Sequence, residues 1–521
     1  MRCPKCGNKS LNKGGNARGK QRYHCLDKKC DWHGTHPVGV EDSQSIGIPH
    51  QEVEGIHDRI TSGKVKRFVV TSAQNATPIW APFFRALLSY CKHKNAQLVV
   101  IPYRYKNPTS IWSEKAKTDD WWASELTPYL YDRRVELCES LVLLADIKTQ
   151  PTGDQPLQGF ETLTGPRSAI IGHPKLALKT VPTPQQRFPK ILTSTGAITK
   201  KNYIPSKAGK KGEHHHTFGA CVVEIGERGM FFVRQLNAIR NGSFCDLDYE
   251  YHPSRTPRKI KAAGLVMGDT HVDFADPDAV SATFGPDGIL SVLKPKVLVW
   301  HDVLDFYSRM HHHSGEVFTN YAKHHAGRDN VEQEIDRAFA FIDQHSPDGT
   351  KNVFVYSNHP DMLARWVKGT DPRTDPENCV FWAKTFEAMC LGTRMTEIGT
   401  ATIDPFAWWA AKKLGCYRRS RFLAPDESCQ IKGIEVGYHG HAGPGGARGT
   451  LNAFTKIGTK SVIGHSHVPG INDGAYQVGT TSRLKLDYVN GPTAWLHAHC
   501  AVYQNGKRSL IIIVKDKWRI K

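Results

Sequence analysis

The distribution of apolar and polar positions changes character near Lys66. Beyond it, Arg67-Phe68-Val69-Val70-Thr71 has the pattern of a buried strand. Trp80, Phe83, Phe84, Leu87, Leu88 and Cys91 then recur at helical spacing, and Leu98-Val99-Val100-Ile101 is a second strand. Strand, helix and strand in that order predict one βαβ unit and a parallel sheet. The unit carries no GxGxxG, so nothing marks it as a dinucleotide binder. Val222-Val223-Glu224-Ile225 and Met230-Phe231-Phe232-Val233, joined by Gly226-Glu227-Arg228-Gly229, predict a hairpin. From about Lys261 onward, short apolar strands end in His, Asp or Asn. Glu332 to His345 and Asp404 to Leu414 read as helices. Ala501 to Tyr503 and Leu510 to Val514 flank an Asn505-Gly506 turn.

The stretch from Pro37 to Gly63 is polar and of low complexity, which predicts a linker. The expected organisation is a small module at 1–36, a linker at 37–63, a small α/β, Rossmann-like domain at 64–260, and a further domain at 261–521. A chain of 521 residues exceeds one hydrophobic core, in keeping with several domains. No apolar run approaches the roughly 20 residues of a membrane helix. A cysteine motif stands where a signal peptide would be, so a cytoplasmic protein with no membrane partner is expected. The formal charge of +19 favours a polyanionic partner such as DNA, because Lys and Arg gain affinity by releasing counterions from phosphates. The plainer reading is a basic protein kept soluble by its charge. The oligomeric state, a homo-oligomer included, is open.

Four of the 13 cysteines cluster near the N-terminus and nine are scattered, which suits a reducing compartment and one metal site. Cys3-x2-Cys6 followed by Cys25-x4-Cys30 suits tetrahedral thiolate zinc, with His24 or His33 as alternatives for one cysteine. So small a module would draw its folding energy from one structural Zn2+. Residues 1–36 hold nine Lys/Arg against two Asp/Glu. The run Gly19-Lys20-Gln21-Arg22-Tyr23-His24-Cys25 resembles the zinc ribbons of transposases and other DNA-handling proteins. Arg18, Lys20 and Arg22 are its candidate DNA contacts, with Tyr23 offering a stacking face. A purely structural knuckle is the alternative.

Five polar clusters follow in order through the C-terminal half. They are Gly268-Asp269-Thr270-His271, His301-Asp302-Val303-Leu304-Asp305, Ser357-Asn358-His359, Tyr438-His439-Gly440-His441 and Gly464-His465-Ser466-His467. Among 26 histidines each alone is weak. Four of the five follow a run with strand character, and α/β folds gather their sites at the C-terminal ends of strands. Carboxylate, imidazole and amide together suit divalent Mn, Fe or Zn.

The order and spacing of these clusters resemble the calcineurin-like metallophosphoesterases, over roughly half the chain. The resemblance implies a β-sandwich flanked by helices and two divalent metal ions, Mn2+ foremost. It implies that Asp269, His271 and His467 hold one metal, that Asp302 bridges both, and that Asn358, His439 and His465 hold the second. It implies His359 as general acid or transition-state stabiliser, oriented by Asp305. This sequence departs from the pattern at His301 and Ser357, where the family has glycine, and at Pro360, where it has an acidic residue. His439 and His441 compete for the fourth position, and the glycine directly after His439 favours it. Such a site would hydrolyse phosphoesters by two-metal clamping of the phosphate.

That fold family spans phosphatases, nucleotidases and nucleases, and the fold alone does not choose. The charge, the basic ribbon and a second basic loop at Lys200, Lys201, Lys207, Lys210 and Lys211, interleaved with Tyr203, lean toward DNA. A solvated surface is the alternative for that loop. The segments Val70-Thr71-Ser72-Ala73-Gln74-Asn75, Ile101 to Thr109 and Lys207-Ala208-Gly209-Lys210-Lys211 resemble a phage family of early-expressed DNases tied to host-chromosome degradation. That resemblance implies a metal-dependent DNase in the host cytoplasm, here with an added zinc ribbon. The runs His214–His216, His311–His313 and His324-His325 are read either as phosphate contacts or as surface histidines.

Overall fold

The computed structural model describes residues 3, 6, 11–17, 20–30, 33–34, 50–105, 121–184, 188–397, 399–487 and 489–520. The chain is a mixed α/β protein built from several sheets. The βαβ unit forms as its pattern predicts. Strands Arg67–Gln74 and Gln97–Tyr103 pair in parallel, and helix Ala81–Lys94 connects them and buries Phe83, Leu87 and Tyr90. The hairpin forms too, with Gly219–Ile225 and Phe231–Asn237 in unbroken antiparallel register. It joins the unit by pairing antiparallel with Arg67–Gln74. The resulting four-stranded sheet therefore has a single parallel pair and is not Rossmann-like. Apolar runs that close locally through a tight turn must be antiparallel, so they cannot extend a parallel order.

Two larger sheets dominate the rest. The six-stranded sheet runs Ser420–Phe422, Lys351–Phe354, Val297–Trp300, Gly264–Val266, His497–Val502, Arg508–Ile513, with the first four strands mutually parallel. Its residues alternate between two cores, as the pleat requires. Val266, Val299, Val353, Ala498 and Cys500 face the cluster shared with the other sheets. Leu265, Leu298, Trp300, Phe354 and Ala501 face a second cluster, with Ile335, Leu363 and Trp409 from helices Val331–His345, Asn358–Gly369 and Pro405–Lys413.

The ten-stranded sheet crosses the boundary expected near residue 260. Gly470, Ile471 and Asn472 pair with Lys179, Leu178 and Ala177. Strand Ala177–Val181 in turn pairs with Lys190–Ser194, and the order continues through Ser168–Ile171 and Leu141–Leu144 to Arg134–Cys138. The two halves of the chain thus share one sheet and one core.

Part of the expected linker is a helix, His50–Thr61. Val53, Ile56 and Ile60, at positions i, i+3 and i+7, bury their side chains in the shared core, and His57 Nδ1 lies 2.7 Å from Tyr131 Oη. Three apolar residues on one stripe suffice once tertiary packing supplies the rest. Among the described residues, no helix is long and apolar enough to cross a membrane.

Candidate metal centre

Each candidate ligand follows a strand. Asp269 and His271 follow Gly264–Val266, Asp302 follows Val297–Trp300, and Asn358 opens the helix after Lys351–Phe354. His439 follows Ile434–Glu435, and His465 and His467 follow Ser461–Ile463. The first four come from the six-stranded sheet and the last three from the ten-stranded one. The site therefore lies where the C-terminal ends of strands from two sheets converge. Backbone bonds stitch that seam. Asp269 N–H donates to Gly479 O at 3.1 Å, Thr481 N–H donates to Asp269 O at 2.7 Å, and Gly464 N–H donates to His439 O at 2.7 Å.

The side chains gather into two neighbouring groups, Asp269/His271/His467 and Asp302/His439/His465, each with its ligand atoms within 4.8 Å of one another. Asp269, His271, Asp302, His439 and His467 are buried, whereas His465 is half-buried. His271 Nε2 is 3.1 Å from His467 Nε2, His467 Nε2 is 3.2 Å from Asp269 Oδ2, and His439 Nε2 is 3.0 Å from Asp302 Oδ2. Ligand atoms bound at ~2.1 Å to one cation at right angles sit ~3.0 Å apart, so the donor set fits divalent metals. The orphaned atoms agree: Asp269 Oδ1 and Asn358 Oδ1 are buried without a hydrogen-bond partner. The backbone is strained here as well. His271, Asp302, His465 and His467 have φ of 44°, 38°, 76° and 59°, a region costly for non-glycine residues and concentrated at functional sites.

The electrostatics favour added positive charge. Burial alone would raise the Asp269 carboxyl, but His439 and His467 outweigh it and hold it at about 2. Burial opposes protonation of His271, yet Asp305, Asp302 and Asp269 push it up to about 9. A bound cation would take the place of that proton. Burial, reinforced by His439, lowers His301 and His465 to about 4, which keeps both neutral.

Asp305 sits differently from its expected role. Its carboxylate pairs with His271 Nδ1 at 2.8 Å and stands 3.8 Å from His359 Nδ1. His359 is instead oriented by the Asp305 carbonyl, to which its Nδ1–H donates at 2.7 Å. The His359 ring lies 4.6 Å from the His271 ring, and its backbone N–H donates to Asp302 Oδ1 at 3.3 Å, from the first turn of Asn358–Gly369. That helix N-terminus stabilises negative charge on Asp302. Of the two competing histidines, His439 joins ligand groups, and His441 joins none among the described residues. His301, to which sequence reasoning assigned no role, lies in a further group with Asp269 and His439. Its only signal was its place next to Asp302. Trp495, also missed, stacks edge-on against His467 at 4.2 Å.

The four N-terminal cysteines also converge. Cys3 and Cys30 sulfurs are 3.7 Å apart, Cys6 and Cys25 sulfurs are 3.5 Å apart, and all four lie within 4.8 Å. Thiolates at ~2.3 Å from one zinc stand ~3.8 Å apart in a tetrahedron, so the set fits zinc without His24 or His33. Cys25 ends strand Lys20–Cys25, which pairs with Leu11–Ala17 and His33–Gly34, while Cys3, Cys6 and Cys30 lie outside these strands.

The basic residues are less concentrated than the sequence suggests. Arg18 and the Lys20 side chain lie outside the described residues, and Arg22 is exposed. Lys200 and Lys207 are exposed as well. Lys201 Nζ donates to Glu213 O at 2.8 Å, Lys210 pairs with Glu213 at 2.9 Å, and Lys211 pairs with Asp154 at 2.5 Å. The expected loop is partly a helix, Lys207–His215, capped by Ser206, whose side chain accepts from Gly209 N–H. His216 is buried, with Nδ1 2.9 Å from Tyr203 Oη and Nε2 3.0 Å from Thr199 O, which makes it structural. His324 pairs with Asp329 at 2.8 Å, and His311 is exposed on the wall of a cavity of about 700 Å³ shared with Arg309 and Arg365.

No family model matches this sequence. No solved structure matches it either. The sequence is 34% identical over 464 residues to Protein A1 of Escherichia phage T5, an alignment that covers 87% of this chain and 83% of that protein.

Proposed function

The chain belongs to the family of phage T5 Protein A1, and from that premise we propose that it is a divalent-metal-dependent nuclease that cuts the DNA backbone in the cytoplasm of a phage's host. The observation that carries this reading is the pair of adjoining groups, Asp269/His271/His467 and Asp302/His439/His465, at one convergence of strand ends. Asp269, His271 and His467 would hold one cation, and His439, His465 and Asn358 the other, with Asp302 between them. Bound there, two divalent cations, Mn2+ by preference, supply Lewis acidity toward a phosphoryl oxygen and toward water.

The chain's own groups supply the rest. Asp305 fixes the His271 ring through Nδ1, leaving Nε2 to face the site. His359, held through Nδ1 by the Asp305 carbonyl, keeps Nε2 to carry a proton to the leaving oxygen. The half-buried placement of His359 and His465 puts both where a substrate phosphate can reach them. Two features support DNA as the substrate. The chain carries a net charge of +19, and its N-terminal cysteine module is rich in Lys and Arg.

Full-length protein incubated with supercoiled plasmid and Mn2+, with and without EDTA, and separately with p-nitrophenyl phosphate, tests the proposal. The expected outcome is plasmid nicking or degradation that EDTA abolishes, with little monoester turnover. Monoester hydrolysis without DNA cleavage would make it a phosphatase. DNA binding without any hydrolysis would make it a binding protein.

A further inference from the structure

Resting on the two-metal reading, we infer that His301 is a positioning residue for His439, accepting the hydrogen bond that holds the His439 imidazole toward the second cation. His439 has two nitrogens in two environments. Nε2 faces Asp302 Oδ2 at 3.0 Å, and Nδ1 faces His301 Nδ1 at 3.1 Å. An imidazole that ligates through Nε2 carries its proton on Nδ1 and needs an acceptor there. The site supplies such an acceptor to two candidate ligands, His271 and His439, and to His359, which does not ligate. His271 Nδ1 has the Asp305 carboxylate at 2.8 Å, His359 Nδ1 has the Asp305 carbonyl at 2.7 Å, and His439 Nδ1 has His301.

The surroundings explain why the third acceptor is an imidazole. His301 is fully buried, beside Asp269 and next in sequence to Asp302. A carboxylate there would add a fourth buried negative charge to those of Asp269, Asp302 and Asp305, whereas a neutral ring nitrogen accepts without one. Room for the ring comes from Gly464. A Cβ at that position would lie 3.2 Å from His301 Cγ and 3.3 Å from His301 Nδ1, and it would collide with Asp269 Oδ1.

Two nearly isosteric substitutions separate orientation from space-filling. Asn in His301→Asn places an acceptor oxygen at the same bond distance from the backbone as Nδ1, and Leu in His301→Leu places a methyl there. Mn2+ bound to each full-length protein is measured by equilibrium dialysis and by electron paramagnetic resonance, with melting curves in EDTA as the control for folding. The expected result is wild-type Mn2+ affinity in His301→Asn and at least tenfold weaker binding of one Mn2+ in His301→Leu. Equal, wild-type binding by both variants would overturn the inference while leaving the metal sites standing. Equal weakening of both would also overturn it, since His301 would then ligate the metal or merely fill space. If His301→Leu does not fold, tenfold weaker binding in His301→Asn alone is enough to overturn it. A wild-type protein that binds no Mn2+ removes the metal-site reading and this inference together.

Discussion

Gly464→Ala is the smallest change expected to disable the centre. The glycine's φ lies outside the left-handed region, so alanine meets no backbone penalty, and the effect is steric alone. The added methyl would stand closer to Asp269 Oδ1 than the 3.0 Å that real Cβ atoms respect, with His301 Cγ at 3.2 Å on its other side. Asp269 cannot simply swing away. Its Oδ2 accepts from His465 N–H at 2.7 Å, and its backbone is pinned to Gly479 and Thr481. Restoring ordinary contact therefore moves the carboxylate, or the Gly464 loop, by about 1 Å. Misplacement of about 1 Å costs about 10²-fold in rate, or about 2.7 kcal/mol of barrier. The overpacking itself costs about 1–3 kcal/mol of stability. The assay is Mn2+-dependent hydrolysis of bis-p-nitrophenyl phosphate together with urea unfolding. Gly369→Ala serves as the control, because its Cβ would meet nothing within 4 Å. Unchanged turnover and Mn2+ content in Gly464→Ala would refute the steric argument and, with it, the placement of Asp269 at the metal.

Asp302→Asn should abolish diester hydrolysis while the circular dichroism spectrum stays unchanged, because asparagine tolerates the φ of 38° at that position. His359→Ala should keep its metal content, as read by elemental analysis, and lose about 10²–10⁴ in turnover. In metal-free protein His271 is raised from 6.5 to about 9. Its contribution to stability is complete below pH 6.5 and is lost as pH rises toward 9, so melting temperatures in EDTA should fall across that window while Mn2+-loaded protein does not follow. Removing residues 1–36 should spare hydrolysis of the small diester and make the salt dependence of DNA binding shallower. The cut must stop short of His50, where the buried helix begins; an unchanged salt slope would make the ribbon a structural module.

The parts of the site that the sequence displayed are those encoded locally. An apolar run that ends in Asp-x-His or His-x-His states in a few residues both the strand and the polar cluster at its tip. Asp269, His271, His465 and His467 could therefore be picked out without knowing which strands pair, whereas Asp302, Asn358 and His439 were singled out through the family resemblance. The parts it hid depend on which side chain faces which across the fold. Asp305 was paired with His359 because the family resemblance implied it, yet its carboxylate turned to His271 and only its carbonyl came within hydrogen-bond distance of His359. His301 looked like a departure from a pattern until His439, 138 residues away, was placed beside it. The buried stripe of His50–Thr61 was masked by polar neighbours, and the helix at Lys207 by glycines whose bare backbone lets it lie against Ile204 and Tyr203. Sheet continuity was the least legible, since pairing between residues such as Lys179 and Gly470 leaves no mark at either position alone.

That continuity also sets a clock for synthesis. The hydrogen bond from Thr180 to Pro469 spans 289 residues. At about 5–20 residues per second, strand Ala177–Val181 leaves the ribosome about 15–60 s before its partner exists. During that interval one edge of the strand is unpaired, which is the exposure that invites chaperones or aggregation. The last candidate ligands, His465 and His467, emerge just ahead of that partner. The candidate metal site thus cannot come together until the chain has been made past His467, and shorter fragments would lack both those histidines and the strand that closes the sheet.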